Sequence, residues 1–236
     1  MKLKKYNTAT ETARALIERT LELMQMDIDE KFHLALSGGS TPALMFDLWA
    51  NEYRTKTDWK RINIYWVDER CVAPEDSDSN YGMTKKLLLD KVPLNDDQIF
   101  RIKGEEEPTA EAKRYAEMTL ENMAVVNGFP VFDLVMLGAG DDGHTSSIFP
   151  GQEELLTTKL PFAACHNPYN GQKRIAMTGQ TIIGAKLVAY LITGENKAKV
   201  VADIYSSGDT GPAAYVAHHS SYVELFVDKE AASEIQ

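Results

Sequence analysis

The chain is poor in cysteine. Its 236 residues include only Cys71 and Cys165, far apart and outside any CxxC. That excludes a disulfide framework and a zinc finger. Basic charge is also short, with 25 Lys+Arg against 35 Asp+Glu and a net charge of −10. A nucleic-acid binder carries the opposite bias or a basic stripe, and neither is present. An anionic ligand would have to be attracted locally, against a repulsive overall field. No long apolar run occurs. In the opening "MKLKKYNTATETARALIERTLELM" the apolar positions Ala13, Leu16, Ile17, Leu21 and Met24 are broken by Glu and Arg at helical spacing. This is not a signal-peptide core, and nothing approaches membrane-spanning length. The expectation is a soluble cytoplasmic protein with no membrane or nucleic-acid partner. HExxH, His/Cys clusters and carboxylate ladders are missing, so no metal is expected. G-x-S-x-G is missing too, which removes a nucleophile elbow. Without repeats or low-complexity linkers, residues 1–236 are expected to form one domain.

Hydrophobic residues make up 44% of the chain, enough for a sizeable core. Short apolar runs stand at 32–37, 62–67, 132–137, 174–179, 187–193 and 223–228. Several are apolar almost throughout, as in strands buried on both faces. Helical stretches lie between them. One starts near Thr41-Pro42, one runs from about Pro108 to Asn127 and stops at Gly128, and one covers about Asn196 to Ser206. The alternation predicts an α/β fold with a mostly parallel sheet. In such sheets ligands sit at the carboxyl ends of strands.

Three strand ends carry unusual residues. "LGAGDDGHTSSIFPG" (137–151) has G-x-G-x-x-G at Gly138, Gly140 and Gly143. A dinucleotide site also needs a long helix and an acid about 20 residues on. Here Pro150-Gly151 leaves room for barely two helical turns, so no dinucleotide is expected. The glycines still imply a tight turn close to a ligand. His144 within it has the position of a general base. His33, His166, His218 and His219 lack that context and are read as structural. "LALSGGSTPALMF" (34–46) is a strand, Gly38-Gly39, and a helix start capped by Ser40 or Thr41. It suits a phosphate, although the same pattern fits a plain capped turn. At the third end, in "WVDER" (66–70), strand alternation lets Asp68 and Arg70 point the same way. Arg70 suits a phosphate or an oxyanion, and a surface ion pair is the alternative. Neighbouring Cys71 has no activating feature and is read as a bystander. Two Gly turns at strand ends favour a phosphorylated small molecule.

Taken together, "LSGGSTP" (36–42), "WVDER" with "SDSNYG" (77–82), and "LGAGDDGHTSSIFPG" closely resemble the 6-phosphogluconolactonase family. The resemblance continues through "RIAMTG" and "ITGENKAKVV" (192–201), and weakens toward the C-terminus. It implies a three-layer α/β/α fold with a Rossmann-like sheet, shared with glucosamine-6-phosphate deaminases. It also implies hydrolysis of 6-phosphoglucono-δ-lactone to 6-phosphogluconate, in the oxidative pentose phosphate route, without a cofactor. By the same resemblance Gly38, Gly39, Ser40 and Thr41 face the sugar phosphate. Arg70 and Lys197 supply positive charge and Arg174 assists. His144 is the general base, with Asp68 or Asp142 orienting it or the substrate. The family has a second Thr where this chain has Ala176, although Thr178 remains. Two rivals stand beside this reading. A deaminase carries Asp-Glu-Tyr where this chain has Asp68-Glu69-Arg70, and its Glu falls on Phe149 here. A non-catalytic sugar-phosphate-binding module would have little reason to keep a base at 144. A monomer and a homodimer are equally compatible.

Overall fold

The computed structural model describes residues 1–206 and 208–235. Its strands are β1 (Lys2–Tyr6), β2 (Phe32–Leu36), β3 (Ile62–Trp66), β4 (Asp68–Arg70), β5 (Ile99–Phe100), β6 (Val125–Val126), β7 (Phe129–Pro130), β8 (Leu134–Leu137), β9 (Phe162–His166), β10 (Lys173–Met177), β11 (Val188–Ile192) and β12 (Val223–Asp228). Its α-helices are α1 (Ala9–Met26), α2 (Ser40–Glu52), α3 (Asn80–Leu87), α4 (Pro108–Asn122), α5 (Glu154–Thr157), α6 (Gly179–Ile183), α7 (Ala198–Tyr205) and α8 (Pro212–His219).

Seven strands form the central sheet in the order β1-β12-β11-β8-β2-β3-β5. Every neighbouring pair in it is parallel. All residues of β3, β8, β11 and β12 are buried, as helical cover on both faces requires. The fold is α/β in three layers. α1 packs on β11, β12 and α2, while α7, α8 and α6 contact one another in series. Tyr190 of β11 ties the sheet to α8 by donating its hydroxyl to the Ala213 carbonyl, at 2.9 Å. No helix among the described residues is long and apolar enough to cross a membrane.

Helix α1 illustrates how pattern becomes packing. Thr8 caps it by accepting from the Glu11 amide. Ala13, Leu16, Ile17, Thr20 and Met24 then recur at i, i+3 and i+4 spacing and are all buried. Leu21 is only half-buried, on the edge of that stripe. Fully burying a side chain such as Leu16 contributes roughly 1.5–3 kcal/mol.

Three local expectations need correction. The strand at 174–179 is not in the parallel sheet. It is β10, the middle of a separate antiparallel sheet ordered β4-β10-β9. The second long helix ends at Asn122 rather than Asn127. Asn127 and Gly128 instead take φ values of 53° and 86° and close the β6–β7 hairpin. Asn-Gly is the strongest short hairpin signal, and here it overrides helical continuation. Finally, neither Ser40 nor Thr41 caps α2. Gly39 is the N-cap, at φ 114°, and no side chain bonds the helix start.

Candidate active site

The unusual strand ends converge at the carboxyl edge of the central sheet. There the loops after β2 and β8 meet β4, β10 and the segment after β11. They enclose a cavity of about 200 Å³ whose walls include Gly38, Gly39, Asp68, Arg70, His144, Arg174 and Lys197. An adjoining cavity of about 130 Å³ reaches Ser40, Thr41 and Thr193 and shares Lys197 with the first. Of the residues singled out from the sequence, Ser40 and Thr41 face this second cavity, and the Thr41 hydroxyl is 3.0 Å from that of Thr193. Among the described residues the Ser40 and Thr41 amides bond no protein acceptor. The start of α2 therefore presents free N–H groups and the positive end of its dipole.

The Gly138–Gly143 turn holds a histidine. The Gly140 amide donates to the His144 carbonyl at 2.9 Å, and the Gly143 amide to that of Gly140 at 3.0 Å. Gly143 takes φ 84°. A Cβ on Gly140 would lie 2.1 Å from His144 Nδ1 and 2.5 Å from Asp142 Oδ1, so only glycine leaves room for the pair. Asp142 Oδ1 lies 2.6 Å from His144 Nδ1 and accepts the His144 amide at 3.1 Å. Asp142 Oδ2 accepts from the Tyr169 hydroxyl at 2.8 Å. Burial would raise the Asp142 carboxyl, but the Tyr169 hydroxyl, the His144 amide and the imidazole outweigh it and hold it below the usual range. A proton on Nδ1 is thus shared with a carboxylate, and Nε2 keeps its lone pair without a partner among the described residues. The ring lies on Phe149, with centroids 4.5 Å apart.

Asp68 plays a different part. It does not contact His144. Its Oδ2 accepts from Ser147 Oγ at 2.5 Å and its Oδ1 from Asn80 Nδ2 at 3.3 Å. Arg174 Nη1 is 3.9 Å away. Asp68 and Arg70 do share a face, as alternation requires, and they form no ion pair with each other. Glu69 points the other way and accepts the Asn80 and Tyr81 amides at the start of α3, each at 2.8 Å. Arg70 and Arg174 sit opposite each other in the β4–β10 register. Burial, with Arg70 beside it, lowers the proton affinity of Arg174. Asp68 and, further out, Asp78 offset part of the charge of these two guanidiniums, which still offer donors to an anion in the cavity.

Lys197 is tied inside the protein. Its ammonium lies 2.5 Å from Asp141 Oδ1 and donates to the Ala139 carbonyl at 2.9 Å. It is only 24% exposed, unlike a solvated surface lysine. The sequence reading missed Asp141, Asn80 and Tyr169. Asn80 was visible as the residue after a Ser79 cap. Tyr169 had no signal, because it lies at a hairpin tip 27 positions from its partner. Thr178, the threonine that remains near Ala176, brings no hydroxyl to the cavity. Thr178 Oγ1 donates to the Leu160 carbonyl at 2.6 Å, and the residue does not line the cavity. Burial pushes the thiols of Cys71 and Cys165 up, to about 11 and about 12, so neither offers a thiolate near neutral pH. His33, His166, His218 and His219 lie outside the cavity. Three carboxylates, Asp27, Asp29 and Asp133, do converge elsewhere. The Lys186 ammonium sits among them, 2.6 Å from Asp133 Oδ1.

Comparison with known proteins gives one consistent answer. Residues 7–225 match a family model described as glucosamine-6-phosphate isomerases/6-phosphogluconolactonase. A protein of Aggregatibacter actinomycetemcomitans named 6-phosphogluconolactonase is 39% identical over 94% of this chain and 96% of its own length. A crystal structure of a protein called devB superposes with a TM-score of 0.94 and 37% identity, covering 100% of this chain and 99% of the other. The 6-phosphogluconolactonase of Trypanosoma brucei superposes with a TM-score of 0.88 and 28% identity, covering 100% and 98%.

Proposed function

The chain belongs to the glucosamine-6-phosphate isomerase/6-phosphogluconolactonase family, and from that premise we propose that it works as a 6-phosphogluconolactonase, hydrolysing 6-phosphoglucono-δ-lactone to 6-phosphogluconate. The activity is that of a hydrolase of carbohydrate metabolism. The observation that carries the reading is the His144–Asp142 pair, with His144 lining the cavity and its Nδ1 2.6 Å from a carboxylate. A lactone is an activated ester. Water held at Nε2 loses its proton to His144 as it attacks the carbonyl carbon. The carbonyl electron pair moves onto oxygen, and the resulting oxyanion is offset by Arg70 and Arg174. Collapse of the tetrahedral intermediate expels the ring oxygen, which takes the proton back from His144. A positioned base of this kind contributes about 10²–10⁴-fold, and donors at the oxyanion add to it. The phosphate would lie toward Lys197 and the free amides of α2.

Phe149 argues against the deaminase. It is fully buried against the His144 ring, where a second carboxylate would be needed for proton shuttling. Residues 1–236 would act as one catalytic unit, since one apolar core underlies all the converging loops. A charged phosphosugar does not cross a bilayer unaided, so the reaction needs its substrate in the same compartment, which we propose to be the cytoplasm. The test is an assay of purified protein with freshly generated lactone, beside glucosamine 6-phosphate. Rapid loss of lactone above the spontaneous rate is expected. Turnover of the amino sugar alone would overturn the reading.

A further inference from the structure

We propose that Tyr169 is a positioning residue, acting on the lactonase base through Asp142. The inference rests on the lactonase reading of the site. The hairpin joining β9 and β10 is fastened on both sides. On one side the Tyr169 hydroxyl donates to Asp142 Oδ2 at 2.8 Å. On the other, Gln172 donates to Asp78 Oδ2 at 2.9 Å and accepts from Arg174 Nη2 at 3.1 Å. Tyr169 is 70% exposed, so core burial does not explain its placement. Its ring meets Phe149 edge-on, with centroids 6.1 Å apart, and Phe149 carries the His144 ring on its face. Tyr169 therefore reaches the base by two routes, a hydrogen-bond chain through Asp142 and an aromatic contact through Phe149.

The chain has a direction. Asp142 Oδ1 is occupied by the amide and ring of His144, and Oδ2 by Tyr169. With both oxygens engaged the carboxylate has one orientation, and so has the imidazole. The Tyr169 bond also disperses charge on Asp142. Losing it makes Asp142 a stronger acceptor for the proton on Nδ1, which stabilises the imidazolium and raises the proton affinity of His144. Neutral His144 is the working base, so the acidic limb of the rate profile moves to higher pH. Among the described residues, the other ionisable groups that line the cavity with His144 are Asp68 and Arg70 on β4, Arg174 on β10, and Lys197. Those sharing a wall with Asp142 are Asp141, Lys199 and Asp203. A Tyr169 substitution leaves all of them in place.

The test uses Tyr169→Phe, which keeps the ring and removes only the hydroxyl, and Tyr169→Ala, which removes both. For Tyr169→Phe, kcat should fall about three- to tenfold with little change in KM. The acidic limb of kcat/KM should move up by about half a pH unit. The His144 ring titration, followed by NMR without substrate, should move the same way. Tyr169→Ala should lose more kcat than Tyr169→Phe, since the aromatic contact goes as well. An unchanged His144 titration and acidic limb in Tyr169→Phe would overturn the proposal, as would a loss in KM alone, which would make Tyr169 a wall of the substrate site. A wild-type protein inert toward the lactone would overturn the lactonase reading instead, and the ring titration would still report on the Tyr169–Asp142–His144 chain.

Discussion

On the His144 side of the cleft the reacting group is already set. Asp142 fixes the imidazole at 2.6 Å, Phe149 backs it, and Gly140 leaves it room. On the Lys197 side the cation is spoken for. Asp141 holds it at 2.5 Å, and among the described residues the Ser40 and Thr41 amides at the start of α2 have no protein acceptor. The two regions need different things from a ligand. The base must have one orientation before substrate arrives, because a misplaced proton acceptor loses catalysis steeply. The proposed anion subsite can instead exchange partners. In a chain of net charge −10, a lysine paired with Asp141 presents little net field, and under the proposed function a dianionic phosphate would displace the carboxylate. Arg70 and Arg174 lie between these extremes, with Asp68 Oδ2 3.9 Å from Arg174 Nη1.

The comparison breaks first if the base side is not a base. His144→Ala should lower kcat by roughly 10²–10⁴-fold with a smaller change in KM. Turnover of a folded variant near the wild-type value, after subtracting spontaneous hydrolysis, would remove His144 from the chemistry.

The next effect concerns the other side. Lys197→Ala should reduce kcat/KM for the phosphorylated lactone by about ten- to a hundredfold, as loss of one charge-assisted contact implies. A lactone without phosphate should be a poor substrate and indifferent to the change. Measuring both substrates with both proteins isolates the Lys197–phosphate contribution. Equal losses on the two lactones would mean that the phosphate is held elsewhere.

Asp141→Asn sharpens the contrast more gently. Asp141 is 63% exposed, so its pair with Lys197 is screened by solvent. Freeing the ammonium should lower KM by up to about fivefold and tighten inhibition by inorganic phosphate in parallel. An unchanged KM would show that the pair opens without cost. Chelation should have the smallest effect, leaving lactone turnover as it was, since His144 works as a free imidazole and the carboxylates of Asp27, Asp29 and Asp133 already surround Lys186. Activity lost and then restored by one divalent ion would put a metal into the mechanism.

Much of this arrangement was legible in the residues. Runs such as "INIYWV" announced buried parallel strands, and β3 is buried throughout. The Gly-rich strand ends announced the cleft. Other parts were not legible, for identifiable reasons. β1, "KLKKY", carries three lysines in five residues and lacks the apolar run that marks the other strands. It is the edge strand beside β12, where lysine on the outer side is tolerated. "IAM" in β10 is apolar like a stretch of parallel strand, and periodicity does not say which strand will pair with it. Its partners β4 and β9 bring Arg174 opposite Arg70.

By itself the sequence determined the kind of chain this is: acidic, α/β, with Gly-rich turns after β2 and β8 and a histidine in the second of them. Those properties follow from composition and from hydrophobic period, which act over a few neighbouring residues. Only the tertiary structure decided which carboxylate serves the base. Gly143 at φ 84° folds Asp142 back onto His144, while Asp68 turns to Ser147 and Asn80. It alone decided that Asp141 neutralises Lys197 and that Tyr169 reaches Asp142. These contacts join side chains on separate loops, so their geometry is set by how the loops pack on the sheet, which no local pattern encodes.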